Sequence, residues 1–123
     1  MLLVDSSVWI DYLRQDDHAL SDLLANNGVL IHPMIVGELS IGILRDRDAI
    51  LKMLNELPEV IVAAHDEVLQ FIETHKLFGR GIGYIDANLL ASARLTPDAM
   101  LWTRDRRLHE AAKMLSLAAK PTH

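Results

Sequence analysis

Short apolar runs alternate with longer amphipathic stretches along this 123-residue chain. Runs of this length, bounded by turn residues, predict strands at Leu2–Val4, Val29–Ile31, Val60–Ala63, Met100–Thr103 and, as a last short one, Leu115–Ala118. Apolar residues that return every third or fourth position predict helices between the strands. We expect these helices over Val8–Leu13, about Asp17–Asn26, Pro33–Leu44, Asp48–Leu57, His65–Phe78, Tyr84–Leu95 and Arg106–Met114.

This alternation predicts an α/β fold. Strands separated by helices pair in parallel through right-handed crossovers, which gives a three-layer sandwich with helices on both faces of the sheet. We therefore expect one domain over residues 1–123, with a parallel sheet of four or five strands. In such sheets, ligands bind beyond the carboxyl ends of the strands.

Four acidic residues stand at the ends of apolar runs or inside apolar helical patterns: Asp5, Glu38, Asp86 and Asp105. Glu38 and Asp86 have only apolar residues or glycine three and four positions away, where a helical acid often has a basic neighbour. Both therefore lie on, or at the border of, an inward face, where an uncompensated charge costs several kcal/mol.

The other two acids, Asp5 and Asp105, follow the first and fourth predicted strands, so they should project from the same edge of the sheet. If all four carboxylates converge there, a divalent cation is their natural compensation. Oxygen ligands of this kind favour Mg²⁺ or Mn²⁺.

Composition narrows the classes of function. The chain has no cysteine, so disulfides and thiolate sites are excluded. Its net charge of −5 argues against a generic polyanion binder, although basic residues cluster at Arg104, Arg106 and Arg107. The glycine-rich loop at 79–83 lacks the Lys and Ser or Thr of a phosphate-binding loop. With no signal-peptide pattern and no apolar run of membrane-spanning length, we expect a soluble cytoplasmic protein without membrane contact.

Four stretches of the sequence resemble the PIN-domain nucleases, in particular the VapC toxins of bacterial toxin–antitoxin pairs. They are Val4-Asp5-Ser6-Ser7-Val8-Trp9-Ile10, Glu38-Leu39 followed by Gly42, Asp86-Ala87-Asn88-Leu89-Leu90-Ala91, and Leu101-Trp102-Thr103-Arg104-Asp105. The likeness extends over essentially the whole chain, in the same order and spacing.

The resemblance implies a metal-dependent ribonuclease that uses Mg²⁺ or Mn²⁺, with its acidic quartet at Asp5, Glu38, Asp86 and Asp105 and a hydroxyl from Thr103. It also implies a homodimer that is silenced by a small antitoxin, whose tail enters the active site. Some relatives carry a further acid just beyond the fourth position. This chain has Arg106 and Arg107 there, so occupancy of a second metal site stays open.

Within this hypothesis each residue has an expected role. Asp5 and Asp105 bind the metal directly, whereas Glu38 and Asp86 bind it directly or through water, and either could orient the attacking water. Ser7 and Thr103 would fix carboxylate rotamers by hydrogen bonding. Single-stranded or looped RNA is the expected substrate. The candidates for contact with its backbone are Arg80, Arg104, Arg106 and Arg107.

Each acid also has a simpler explanation. Asp5 and Asp86 could cap helices, Asp105 could be a turn residue, and Glu38 could reach solvent at the edge of its helix. A catalytically inactive PIN-like module that acts through dimerisation and partner binding is therefore the alternative function. A receiver-like phosphoacceptor would require an Asp after the third strand, where this chain has Ala63-Ala64-His65. We expect the six histidines to be structural or surface residues.

Overall fold

Three parallel strands form the centre of the fold. The computed structural model describes residues 1–15 and 18–119. Its sheet consists of β1 (Leu2–Val4), β2 (Val29–Leu30) and β3 (Met100–Trp102), in the order β2-β1-β3. Single parallel bridges extend the sheet on both sides, from Ile31 to Glu59 and from Leu101 to Ala118. Five segments of the chain therefore lie side by side, with β1 in the middle, and the predicted parallel α/β fold is confirmed.

Seven helices connect these segments in the part of the chain that the structure describes. They are α1 (Ser6–Gln15), α2 (His18–Ala25), α3 (Pro33–Ile41), α4 (Arg47–Glu56), α5 (His65–His75), α6 (Tyr84–Leu95) and α7 (Arg106–Met114). The bounds of α6 and α7 are those expected from the sequence, whereas the expected start of the second helix, Asp17, lies outside the described residues. None of the described helices is long and apolar enough to cross a membrane.

Two helices end earlier than the pattern predicts. Helix α3 ends at Ile41, and the backbone turns to an extended conformation at Gly42. Helix α5 ends at His75, because Lys76 adopts a left-handed conformation with φ of 54°. That conformation stops the helix by turning the next N–H groups back onto its last carbonyls.

The segment Val60–Ala63 does not form the predicted third strand. Only the bridge just before it joins it to the sheet. Two of its amides bond to side chains in and just after α6 instead: Ala63 N donates to Ser92 Oγ at 3.1 Å, and Ile61 N donates to Thr96 Oγ1 at 2.9 Å. The neighbouring strand stops where α3 begins, so it offers no further edge for a ladder. The expected strand over Leu115–Ala118 is likewise reduced to a single bridge.

A large hydrophobic core holds the strands and most of the helices in place, and a smaller cluster of buried residues packs α5 against α6. The largest fully buried side chains of the large core include Trp9, Leu3, Leu89, Leu90, Leu101 and Leu108. These residues come from α1, β1, α6, β3 and α7, so the core fixes the helices whose first turns follow the ends of β1 and β3. Two of the four candidate acids, Asp5 and Asp105, follow the ends of these two strands.

Candidate active site

Asp5 occupies the end of the central strand. Its backbone N donates to the carbonyl of Trp102 at 2.9 Å, which ties the ends of β1 and β3 together. The side chain is only 5% exposed. Its Oδ2 accepts hydrogen bonds from Ser7 Oγ at 2.7 Å and from Thr103 Oγ1 at 2.8 Å. Two hydroxyl donors therefore hold one oxygen of a buried carboxylate, which restricts its rotamer.

The same two hydroxyls fasten the turn between β3 and α7. Thr103 Oγ1 accepts from the backbone N of Asp105 at 3.0 Å, and Ser7 Oγ accepts from the backbone N of Arg104 at 3.0 Å. Each hydroxyl donates to Asp5 and accepts from this turn. The position of Asp105 is thereby coupled to that of Asp5.

Asp86 and Asp105 each use one carboxylate oxygen to cap a helix. Asp86 Oδ2 accepts from Gly83 N at 2.9 Å, and Asp105 Oδ1 accepts from Leu108 N at 3.0 Å. The capping role that the sequence left open for Asp86 is therefore present, and Asp105 has one too. Within residues 1–15 and 18–119, the second oxygen of each carboxylate makes no hydrogen bond.

Glu38 is an exposed residue in the second half of α3. It borders a surface cleft of about 590 Å³ whose other walls come from α1 and from the loop between α3 and α4. Of the two positions that the pattern allows, on the inward face or at its border, Glu38 therefore occupies the border. Its carboxylate is accessible from the cleft.

The pKa of Glu38 is affected by two of the other acids, Asp5 and Asp86. Its pKa is raised above the ordinary value of 4.5, first by burial of the carboxyl group and then by the negative charge of Asp5. A hydrogen bond from Ser6 opposes this shift, and the charge of Asp86 adds to it. The carboxyl group is thus partly desolvated although the residue as a whole is exposed, because its inner side faces the other acids.

Asp86 is half-buried and shows the same effect. Burial is the largest cause that raises its pKa above the ordinary value of 3.8, and the hydrogen bond from Gly83 N opposes it. The charges of Asp5 and Asp105 raise it further. The charges that raise these two pKa values link Glu38 to Asp5 and Asp86, and they link Asp86 to Asp5 and Asp105.

No basic side chain of the described residues forms an ion pair with these four acids. The ion pairs of that part of the chain join Arg104 to Asp11 at 2.7 Å and Lys113 to Glu110 at 4.0 Å. As they stand, no three acidic or histidine side chains of residues 1–15 and 18–119 are gathered closely enough to hold a metal ion. The donor set nevertheless fits Mg²⁺ or Mn²⁺ in kind, because it offers carboxylate oxygens without a competing cation.

The four candidate arginines fall into two groups. Arg104 donates to Asp11 and lies over the ring of Trp102, with its guanidinium carbon 5.4 Å from the ring centroid. The other three, Arg80, Arg106 and Arg107, line one cavity of about 360 Å³ together with Glu110 and Ala111. The structure thus separates Arg104 from the arginines that share a cavity.

A buried polar pair near the site was not anticipated from the sequence. His32 is fully buried; its Nδ1 accepts from Met34 N at 3.0 Å, and its Nε2 lies 3.1 Å from Ser92 Oγ. The structural role expected of the histidines is confirmed for His32. Its position directly before Pro33, where α3 begins, was the available signal, since that is the cap position of a helix.

Comparison with known proteins adds a family and two related sequences. The sequence model of the PIN domain matches residues 2–114. Two Mycobacterium tuberculosis proteins, one from each of two strains and both named Ribonuclease VapC32, are 46% identical to this chain over 111 residues. These matches cover 90% of this chain and 90% of each relative.

Two solved structures have a similar fold. FitAcB from Neisseria gonorrhoeae superimposes with a TM-score of 0.67 and 20% identity, over 100% of this chain and 99% of that chain. PAE2754 from Pyrobaculum aerophilum superimposes with a TM-score of 0.58 and 20% identity, over 97% of this chain and 96% of that chain. At this level of identity the likeness is one of fold alone.

Proposed function

The chain belongs to the PIN domain family, and on that premise we propose that it is a ribonuclease that hydrolyses RNA phosphodiester bonds, as the toxin of a toxin–antitoxin pair. One observation carries the proposal. Four carboxylates from separate parts of the sequence are linked by charge: Asp5 and Asp86 raise the pKa of Glu38, and Asp5 and Asp105 raise that of Asp86. No basic side chain of the described residues pairs with them. Such a cluster is unfavourable unless a ligand compensates it.

We assign the compensation to Mg²⁺ or Mn²⁺, held by Asp5, Glu38, Asp86 and Asp105. When bound, such an ion makes water a better nucleophile and neutralises charge that develops on the phosphoryl oxygens. Asp5 is suited to be the fixed member of the set, because it is buried and two hydroxyls hold its Oδ2. The capping bonds of Asp86 and Asp105 restrict these side chains in the same way.

The chain's own groups then have distinct tasks. Ser7 and Thr103 keep the Asp5 carboxylate in one rotamer. Glu38 is accessible from the cleft, so we assign it the orientation of the attacking water. Water adds to phosphorus, the bond to one bridging oxygen breaks, and the products are a phosphate monoester and a hydroxyl end.

The test is cleavage of a mixed RNA pool. We expect cleavage with Mg²⁺ or Mn²⁺, none with EDTA, and a loss of more than about 100-fold in kcat for Asp5→Asn or Asp86→Asn, because each removes a negative ligand. Asp48→Asn, an exposed acid at the start of α4, is the matched control and should cleave like the parent. Cleavage by the parent that persists undiminished in EDTA would contradict the metal assignment.

An inactive interaction module is the second candidate, and the capping bonds of Asp86 and Asp105 favour it, because both acids have a structural use without metal. Thermal stability with added Mn²⁺ and cleavage of the RNA pool distinguish the two functions. A metal-binding nuclease gains thermal stability on addition of Mn²⁺, since a ligand that binds only the folded state stabilises it. The inactive module gains none and leaves the RNA pool intact.

We propose further that the chain forms a homodimer and binds a small antitoxin, as the resemblance to VapC toxins implies. Exposed apolar side chains support protein contacts at this site: Ile41 is 87% exposed, and Ile43, which lines the Glu38 cleft, is fully exposed. Large apolar groups at the mouth of a cleft are typical of surfaces that a partner covers. An antitoxin tail in this cleft would block access to Glu38.

A further inference from the structure

Three arginines surround one cavity beside the acidic site. Arg80 comes from the loop after α5, whereas Arg106 and Arg107 form the first turn of α7. All three line a cavity of about 360 Å³. Arg80 is anchored there, because its Nε donates to the carbonyl of Lys76 at 3.0 Å.

The three arginines are not held in ion pairs within the described part of the chain. No acid among residues 1–15 and 18–119 forms an ion pair with Arg80, Arg106 or Arg107. Glu110 also lines the cavity, yet its ion pair is with Lys113. In a chain of net charge −5, three guanidinium groups around one cavity are a local exception, and their mutual repulsion favours an anionic ligand.

The glycine loop is shaped to accommodate Arg107. A Cβ atom on Gly81 would lie 2.6 Å from Arg107 Nη1 and 2.8 Å from its Cδ, so a side chain at this position would collide with the arginine. Gly81 also has φ of 77°, a conformation that favours glycine. The loop backbone therefore forms a wall against which the Arg107 side chain packs.

Two short stretches of chain connect the residues of this cavity to the acidic residues. Arg106 directly follows Asp105 in the sequence. Gly81, which packs against Arg107, lies two residues before Gly83, whose N–H donates to Asp86 Oδ2. Two residues span at most about 7 Å, so the loop that packs against Arg107 is close to that carboxylate.

We propose that the arginine cavity, defined by Arg80, Arg106 and Arg107, is a phosphate subsite that holds a backbone phosphodiester of single-stranded RNA next to the bond being cleaved. The proposal rests on the ribonuclease function. Guanidinium groups bind phosphate oxygens through paired hydrogen bonds, and contacts of this kind position the strand without reading its sequence. Cations beside an acidic centre would also offset its repulsion of the RNA.

Binding of a labelled single-stranded RNA in EDTA tests the proposal without catalysis. We expect Arg106→Gln and Arg107→Gln each to weaken binding on the order of tenfold, equally for RNAs of different sequence. Each should also lower the slope of log affinity against log salt by about 0.7, the value for one phosphate contact to a single strand. Arg47→Gln, an exposed arginine outside the cavity, is the control and should bind like the parent.

Two glycine variants test the packing of Arg107. Gly79 and Gly81 have nearly equal positive φ values, 74° and 77°, so alanine strains the backbone similarly at both. No atom of the described residues lies within 4 Å of a Cβ on Gly79, whereas a Cβ on Gly81 would meet Arg107. We expect similar losses of Tm from the two variants, but weaker RNA binding only from Gly81→Ala. In an Arg107→Gln background, Gly81→Ala should add no further loss of affinity.

The outcomes separate this proposal from the ribonuclease function. If Arg106→Gln and Arg107→Gln bind RNA with the same affinity and salt dependence as the control Arg47→Gln, the cavity is not a phosphate subsite. This conclusion holds even if the parent cleaves RNA. If the parent cleaves nothing but its RNA binding depends on Arg106 and Arg107, the arginine cavity still binds RNA phosphate, whereas the nuclease function and the place of the cavity beside a cleaved bond are rejected. If Arg106→Gln and Arg107→Gln weaken binding only of inorganic phosphate, or only of an antitoxin, the cavity is not a subsite for RNA. If Gly81→Ala does not fold, RNA binding by Arg106→Gln and Arg107→Gln still tests the subsite.

Discussion

At the scale of single residues, the four acids differ in how firmly the chain holds them. Asp5 is buried and bonded to two hydroxyls, and Asp86 and Asp105 are restricted by capping bonds. Glu38 is exposed and borders the cleft. The set thus combines three restrained carboxylates with one that borders an open cleft.

The raised pKa of Glu38 gives a signed prediction for stability in metal-free buffer. A carboxyl group whose folded pKa exceeds its unfolded value of 4.5 contributes stability that is fully present below that value and is lost as pH rises through the folded pKa. Glu38→Gln cannot ionise, so the variant does not lose this stability as pH rises. We therefore expect the variant to unfold a few degrees above the parent at pH 7, and the difference to vanish near pH 4.

Thermal unfolding in EDTA across this pH range measures the effect. Glu56→Gln, an exposed acid at the end of α4, is the control and should match the parent throughout. If Glu38→Gln and the parent differ in unfolding temperature by the same amount at pH 4 and pH 7, the charge of Glu38 does not cause the difference.

At the scale of elements, a buried hydrogen bond links the two helices that carry Glu38 and Asp86. His32 caps α3 six residues before Glu38, and it contacts Ser92 of α6, which follows Asp86 by six residues. Because Nδ1 accepts from Met34 N, the ring proton must be on Nε2, where it can be donated to Ser92 Oγ. The neutral ring thus caps one helix and ties it to the other.

This link makes the fold sensitive to acid. Burial lowers the pKa of His32 below 6.5, so the unfolded chain takes up a proton first as pH falls. The stability that the neutral ring contributes is present above pH 6.5 and is lost as pH falls through the folded pKa. We expect the parent to lose up to about 1.4 kcal/mol per pH unit from this residue below 6.5.

Urea unfolding at pH 7.5, 6.5 and 5.5 measures this slope. His32→Asn keeps a good capping side chain but removes the titrating ring, so its stability should fall less on acidification than that of the parent. His18→Asn, an exposed histidine at the start of α2, should preserve the parent slope. Equal slopes for the parent and His32→Asn would exclude His32 as the acid-sensitive group.

At the scale of the whole molecule, charge and apolar surface are unevenly distributed. Asp5 and Asp105 follow the ends of β1 and β3, and their charges act on Asp86, whereas Arg80, Arg106 and Arg107 line a separate cavity. Large apolar side chains are exposed in several places, among them Ile41 at 87%, Ile43 at the cleft, and Phe78 at 61%. Exposed groups of this size gain free energy when a second copy covers them.

We therefore expect the chain to be a dimer in solution. Light scattering coupled to size exclusion should give about twice the chain mass of 13.8 kDa at micromolar concentration. The measurement should be repeated at high salt, because an interface made of apolar contacts is weakened little by screening. A mass of one chain at every concentration would contradict the homodimer.

The local pattern predicted most of the fold, and it failed where the partners of a segment are distant in sequence. The bounds of β1 and of α7 followed from their apolar spacing, because such patterns are set within a few residues. Val60–Ala63 has the composition of a strand, yet the amides of Ile61 and Ala63 bond to the side chains of Thr96 and Ser92. No local pattern reveals that a neighbouring strand ends early and that a helix offers hydroxyl acceptors instead.

The sequence by itself determined the parallel α/β order and the four acids as candidates, because strand ends and missing basic neighbours can be read along the chain. Tertiary structure alone decided their mutual placement. It joined Asp5 to Thr103 through a hydroxyl, separated Arg104 from the arginine cavity, and linked His32 to Ser92 across 60 residues. The physical reason is range: helix and strand periodicity is local, whereas charge, burial and hydrogen bonding act between groups that only folding brings together.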